Sequence, residues 1–392
     1  MSIRPQSAPL NPLSFIDRLI SDIELSPTQH AQAKQSYEAV TDVLQKIGSP
    51  IQGFSPRNRA QGSMRIGTTI RPPAQDEFDL DVLCWLDASG HRYTPHQIYE
   101  LVWDTLGNHA TYREMRVRRS RCIRLPYARQ FHLDITPAIP DWIRGTPSLY
   151  IPDREQKIWC STHPISFADD WFKPISLRLP RIVELIANTA NIKAAFSASV
   201  EPLPEYGAFE KTPLQRIVQL VKHDRDRHFA DDAKHRPSSI LLTTLTAQAY
   251  EREVSRTAPT LLEFVVRVVE GIPAGISKFN QNGNWTFMVS NPVNRQENFA
   301  ESWTNEHYRR FCAWHEKAVA WLRSTTSLEG RGADVLLNRM SEEFGKERVV
   351  KAARALGSDV KNLHESGQSR VSPLGRIGAV GAFAAPTVFF GD

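Results

Sequence analysis

Cysteine is scarce and unpatterned in this chain. Cys84, Cys122, Cys160 and Cys312 are spread over 392 residues, and none belongs to a CxxC pair. That spacing excludes the common zinc frameworks and a disulfide scaffold. Long apolar runs are missing as well. No stretch nears the roughly 18 consecutive apolar residues of a membrane helix, and the opening MSIRPQSAPLNPL has no apolar block of the secretory kind. A cytoplasmic, reducing setting without membrane attachment is therefore expected. Cys84, inside the apolar VLCWL, reads as a core residue. His223, His228 and His235 have no zinc-ligand spacing and read as surface or helix-end residues. Internal repeats are absent.

What is present is ordinary for a globular protein. A hydrophobic fraction of 41% over 392 residues is enough for two domains around a sizeable core. The net charge of +5 suits polyanions, triphosphates and nucleic acid alike, and does not choose between them. Arg113, Arg116, Arg118, Arg119, Arg121, Arg124 and Arg129 crowd one short region. They read either as a solvated strand-and-loop surface or as an electropositive cleft wall.

The order of signals gives the organisation. Two helical stretches fill residues 12–47, the second opened by Ser26-Pro27-Thr28-Gln29, a capping-box pattern with proline at the first helical position. A Gly/Pro/Arg-rich stretch runs from Gly48 to Arg59. Gly62-Ser63 then begins a helical or looped connector to a strand from Phe78 to Leu86. Residues 121–139 read as a strand pair with a turn near Pro126–Arg129. Beyond Trp171 the strand signals fade. Residues 178–198, 213–230, 238–254, 259–271, 305–325 and 332–356 read as helices, and 272–304 as loops with one strand near Trp285–Val289. An α+β arrangement follows: residues 1–172 form a mixed-sheet lobe with N-terminal helices and 173–364 a mostly helical lobe. From Glu365 the composition turns to Gly, Ala, Ser and Pro, which predicts a flexible tail over 365–392.

The chemistry sits in GSMRIGTTIRPPAQDEFDLDVLCWL. In a strand, Asp79 and Asp81 project to one face while Leu80 and Val82 project to the other. Two carboxylates on one face of an apolar strand are costly unless cations sit between them. Hard divalent ions accept such oxygen donors, and two of them about 3.5–4 Å apart clamp the attacking and leaving oxygens of a phosphoryl transfer. Asp134, in the apolar FHLDITPAI, supplies a third carboxylate. Upstream, Gly62-Ser63 reads either as an ordinary turn or as a close backbone approach to phosphates with a hydroxyl donor. Lys222 lies at the edge of the apolar stripe Leu214, Ile217, Val218 and Val221 and by itself reads as a snorkelling lysine. Ser238 and Ser239, after Pro237, read as helix N-caps, a position equally fit for phosphate.

Gly62-Ser63, Asp79-Leu80-Asp81 and a later single aspartate together resemble the polymerase-β-like nucleotidyltransferase superfamily. The details resemble the branch holding oligoadenylate synthetases, cGAS and the bacterial CD-NTases. Gly67-Thr68-Thr69-Ile70 is similar to the oligoadenylate-synthetase connector. Leu220-Val221-Lys222-His223 is similar to that family's helix bearing a triphosphate lysine. Pro237-Ser238-Ser239-Ile240-Leu241-Leu242 is similar to the helix start that sets a serine on the terminal phosphate. EFDLDVLCWL, the segment Trp159…His163-Pro164…Trp171 and the tail are most similar to bacterial CD-NTases, clade D among them. The resemblance spans about residues 10–360. Fifteen residues separate Ser63 from Asp79, longer than the family spacing, and Ile240 stands where relatives carry a base-stacking aromatic.

The resemblance implies a polymerase-β-like lobe, a helical second lobe and an active site in the cleft between them. It implies two Mg²⁺ ions, with Mn²⁺ as a substitute, on Asp79, Asp81 and Asp134. Gly62, Ser63, Lys222 and Ser238 or Ser239 would bind nucleotide. ATP or GTP would be joined into a cyclic di- or trinucleotide for antiphage (CBASS) signalling, without any need for nucleic acid. It further implies a ubiquitin-ligase-like partner that acts on the C-terminal segment ending Ala385–Asp392. The rival readings are a nucleotidyltransferase acting on RNA or protein, and a catalytically silent binding relative.

Overall fold

The computed structural model describes residues 12–71, 77–127, 131–144, 148–182, 211–281, 284–328 and 333–365, with short pairs at 370–371, 377–378 and 382–383. The segment Ala385–Asp392, where C-terminal recognition is expected, lies outside the described residues.

Seven strands make the first lobe's sheet. They are β1 (Arg57–Ala60), β2 (Phe78–Trp85), β3 (Val117–Arg118), β4 (Ile123–Tyr127), β5 (Phe131–Pro140), β6 (Leu149–Asp153) and β7 (Ile158–Thr162). The order is β1-β2-β5-β4-β3, and β6 and β7 extend the sheet from the far end of β5. β2 and β5 run parallel and the other pairs antiparallel. A parallel neighbour requires a long crossover, and the helices Pro95–Gly107 and Ala110–Met115 provide it. Phe78, Leu80, Val82 and Cys84 of β2 pack on Leu133 and Ile135 of β5 and on Val40, Leu44, Ile98, Val102 and Leu106 of the helices. Cys84 is thus the core residue the sequence indicates, and burial pushes its thiol up to about 12. The opposite face at the N-terminal half of β2 is left for polar side chains.

The N-terminal helices span Pro12–Asp22 and Pro27–Gln45. Ser26 forms the expected capping box: Gln29 N donates to its hydroxyl at 3.2 Å, and its own N donates to Gln29 Oε1 at 2.9 Å. Phe15, Ile16, Leu19, Ile20 and Ile23 of the first helix join the second lobe's core, not the sheet's. The helix is early in sequence, yet its apolar face is shared with Leu214, Ile217 and Val221.

The second lobe is helical, with helices Pro213–His228, Ser239–Glu253, Leu261–Glu270 and Asn305–Thr326 close to the expected ranges. Five expectations change. Residues 178–182 are not helical, and Arg181–Ile182 pairs as a strand with Thr257–Ala258; Pro180 turns its preceding residue away from helix. The rest of that expected helix lies outside the described residues. The helix expected over 332–356 is two, Ala333–Phe344 and Lys346–Glu365, broken at Gly345 with φ +82°, a left-handed stop. The loops of 272–304 hold two hairpins, Ser277–Gln281 with Asn284–Met288 and Ser290–Asn291 with Asn294–Asn298. Their polar outer faces hide the alternation. The expected flexible tail is in part paired: Arg370–Val371 bonds to Ile377–Gly378 and to Ala382–Phe383. His223 also departs from expectation. It is buried and stacks on Phe344 at 5.1 Å.

Candidate active site

The register of the central strands assembles the site. Asp79 faces His132 and Asp81 faces Asp134 across the parallel β2/β5 pair, and Arg124 of β4 faces Asp134 on its other side. Because side chains alternate along a strand, all five lie on the face turned away from the Phe78–Leu80 core. Arg124 grips Asp134 with two bonds, Nε to Oδ1 at 2.7 Å and Nη2 to Oδ2 at 2.6 Å. The same Nη2 reaches Asp79 Oδ1 at 3.3 Å. His132 stands between Glu77 and Asp79, at 3.2 Å and 3.5 Å.

The arginine cluster is therefore not one wall. Arg118 pairs with Glu100, Arg121 with Asp153, and Arg116 bonds the Trp103 carbonyl and covers its ring. Among the described arginines of the cluster, Arg124 is the one that bonds Asp134 and Asp79. Neither it nor His132 is singled out by the sequence motif. Strand alternation two residues before Asp134 marks His132, but Arg124 needs the β4/β5 register.

Of the three carboxylates, Asp81 is the one on which the other two act. Asp81 is pushed up to about 7, first by burial and then by Asp134 and Asp79, with Arg124 and Lys222 opposing. Arg124 is raised, chiefly by its bonds to Asp134. Lys222 is held down to about 7, first by burial and then by Arg225, while Asp226 and Asp81 oppose.

Gly62 opens a single helical turn, Gly62–Arg65, directly after β1, and Gln61 N donates to the Asp81 carbonyl at 2.9 Å. Its φ is +59°, and a Cβ there would stand 2.3 Å from Asp81 Oδ2. Glycine is required twice over, for the left-handed backbone and for the carboxylate. Ser63 Oγ accepts from Thr69 Oγ1 at 3.1 Å. The connector beyond it is held by one face of the Pro213–His228 helix. Gln215 Nε2 donates to Ile66 O at 2.9 Å, and Gln219 Nε2 to Thr69 O at 3.1 Å. Lys222 Nζ donates to Thr68 Oγ1 at 3.0 Å. Spacings of four and three residues align these donors. Lys222, only 3% exposed, is no snorkelling surface lysine.

Ser238 caps the Ser239–Glu253 helix, accepting from Leu241 N at 3.4 Å. Ser239 Oγ instead accepts from the buried Arg225 guanidinium at 3.2 Å and 3.3 Å, and Arg225 also holds Pro237 O at 2.7 Å. The two serines are therefore held differently: one oxygen caps its own helix, the other accepts from the Arg225 guanidinium. Lys222 feels the charges of both Arg225 and Asp81.

Among the described residues, no three His, Cys, Asp or Glu side chains converge as a ready-made metal site. Arg124 supplies the positive charge there. The donor set, carboxylate oxygens alone, nonetheless has the chemistry of a hard divalent cation.

A model of the Second Messenger Oligonucleotide or Dinucleotide Synthetase domain matches residues 13–173. A c-di-GMP synthase from Roseivirga ehrenbergii is 31% identical over 379 residues, covering 94% of each chain. This chain belongs to the CD-NTase family. The cyclic dinucleotide synthase CdnG of Bradyrhizobium diazoefficiens is 27% identical to this CD-NTase, covering 98% of its chain and 92% of the relative. A structure of that CdnG in complex with GTP aligns with a TM-score of 0.64 at 23% identity, over 88% of this chain and 97% of the other. A structure of Escherichia coli CdnC with ATP aligns at 0.56, at 14% identity, over 84% and 96%. The expected polymerase-β-like fold of this CD-NTase is thus borne out. The finer clade D likeness is not among what these relatives show.

Proposed function

We propose that this CD-NTase joins nucleoside triphosphates into a cyclic dinucleotide, with the chemistry centred on Asp79, Asp81 and Asp134. The observation that carries the reading is the in-register placement of Asp81 beside Asp134 under the Gly62 turn, whose glycine leaves Asp81 its space. Asp79, Asp81 and Asp134 would hold two divalent cations, Mg²⁺ or Mn²⁺. When bound, these supply a more acidic ribose hydroxyl and charge neutralisation on the leaving pyrophosphate. The rest falls to the chain itself. Gly62 admits a phosphate close to backbone, Ser63 and Ser239 offer hydroxyl donors, and Lys222 offers an ammonium. Ser238 caps the helix whose N-terminus also favours anions.

The relatives' names, c-di-GMP synthase and CdnG, make GTP the first substrate to test, with ATP the second. The product would serve antiphage signalling in the cytoplasm, with a ligase-like partner acting on the C-terminal segment. No helix among the described residues is long and apolar enough to cross a membrane. Purified protein incubated with all four triphosphates and Mg²⁺ or Mn²⁺, analysed by mass spectrometry, tests the reading. A guanine-containing cyclic dinucleotide is expected. Nucleotide transfer seen only when RNA or a protein acceptor is added would replace it with the acceptor-dependent reading.

A further inference from the structure

We infer that Arg124 is a resident counter-ion of the carboxylate set, exchanged for the catalytic cations. It holds Asp134 and Asp79 together in the metal-free protein and must release them when divalent ions bind. The inference rests on the metal reading above and goes beyond it in assigning a competitor.

Three observations carry it. Arg124 uses both oxygens of Asp134 in a two-pronged bond at 2.7 Å and 2.6 Å, and one of the same nitrogens touches Asp79. Those are oxygens the proposed ions need. Among the described residues, the groups facing this cluster leave Arg124 the closest cation: His132 lies on Glu77 and Asp79, and Lys222 is turned to Thr68. A guanidinium in contact with the same carboxylates repels a divalent ion, so the two cannot share Asp134 without loss. Finally, Arg124 has somewhere to go. Its side chain is 21% exposed and that of Asp79 59%, so the arginine can rotate toward solvent without breaking the core. The strand register fixes its Cα opposite Asp134, which keeps it near enough to return when the ions leave.

The inference predicts opposite effects on metal binding and on metal-free stability. Mn²⁺ binding, read by electron paramagnetic resonance without nucleotide, should tighten at least about tenfold in Arg124→Gln and Arg124→Met, which keep length but lose charge. The same variants should melt lower than the parent in chelator, and Mn²⁺ should raise their melting temperature more than the parent's. In the unsubstituted chain, the Arg124 Nε–H resonance, assigned by its loss in Arg124→Lys, should move as Mg²⁺ saturates. This measurement needs only the charge-conserving Arg124→Lys to fold, so it decides the matter even where Arg124→Gln and Arg124→Met do not. Mn²⁺ bound by the parent and lost in Asp134→Asn, but held equally or more weakly by the Arg124 variants, overturns the exchange and leaves the metal reading intact. So does an Nε–H resonance unmoved by saturating Mg²⁺. No Mn²⁺ binding in the parent or any variant removes the metal reading and the exchange with it.

Discussion

Burial and two neighbouring carboxylates push Asp81 up to about 7 from an ordinary 3.8, and that shift has a sign in stability. A carboxyl raised on folding penalises the folded state wherever it is ionised. The penalty is absent below about pH 4, grows between the two values and is complete above about 7. Asp81→Asn removes it while keeping shape. In chelator, the asparagine variant should match the parent's melting temperature near pH 4 and exceed it at pH 8. A difference that stays constant across that range would contradict the shift. Product formation should meanwhile fall by roughly 10²–10³-fold or more. Gly62→Ala tests the same carboxylate from the other side. The left-handed backbone costs alanine about 1–2 kcal/mol, and its Cβ would drive Asp81 aside. Circular dichroism should show a folded protein, and product yield should drop nearly as far as in Asp81→Asn. The aspartates and Gly62 are legible in the sequence because period-two alternation and glycine's freedom are local properties. Arg124 is not, since its meaning depends on which residue of β5 it faces, and register is set by the whole sheet.

At the scale of elements, helices with strong periodicity and caps are found close to where their residues place them. The breaks are found less well. Gly345 interrupts a pattern whose apolar spacing continues across it, and the 277–298 hairpins are written in asparagine and glutamine. Pro180 marks the end of helix-forming sequence only once its neighbours are seen not to be helical. The Ser238-Ser239 pair shows what the fold adds. Sequence leaves both as caps and both as phosphate ligands; the structure distinguishes their bonds, Ser238 to its own helix and Ser239 to Arg225. Ser238→Ala should therefore cost about 1 kcal/mol of stability with a small effect on KM. Ser239→Ala should leave the denaturation midpoint nearly unchanged and raise KM for triphosphate. Urea titration together with steady-state kinetics of both variants checks this, and a reversed pattern would exchange the assignments.

At the scale of the molecule, the lobes are joined by more than apolar packing. The Pro213–His228 helix reaches across to the connector through Gln215, Gln219 and Lys222, and Gln219 also donates to Glu24 at 2.7 Å. Arg216 ties in Asp17 and Glu24 at 3.0 Å and 3.1 Å, so the N-terminal helices are gathered at the same seam. Gln219 is fully buried, and the carbonyls of Ile66 and Thr69 lose donors if the glutamines go. Each net hydrogen bond is worth about 1 kcal/mol, and an orphaned buried group costs more. The double variant Gln215→Ala/Gln219→Ala should then lose about 2–3 kcal/mol of stability. Neither glutamine is among the nucleotide ligands proposed above. Yet their ladder sets Ser63, through the connector, against Lys222, so KM for triphosphate should rise along with the loss of stability. Because both side chains are neutral, added salt should not reproduce the effect, as it would for an exposed ion pair. Unfolding in urea at low and high ionic strength, paired with kinetics at matched folded fraction, separates the two contributions. A variant that is destabilised but keeps its KM would show that the seam only holds the lobes together, while one with an unchanged midpoint would show that the shared core of Phe15, Leu19 and Leu214 suffices to dock them.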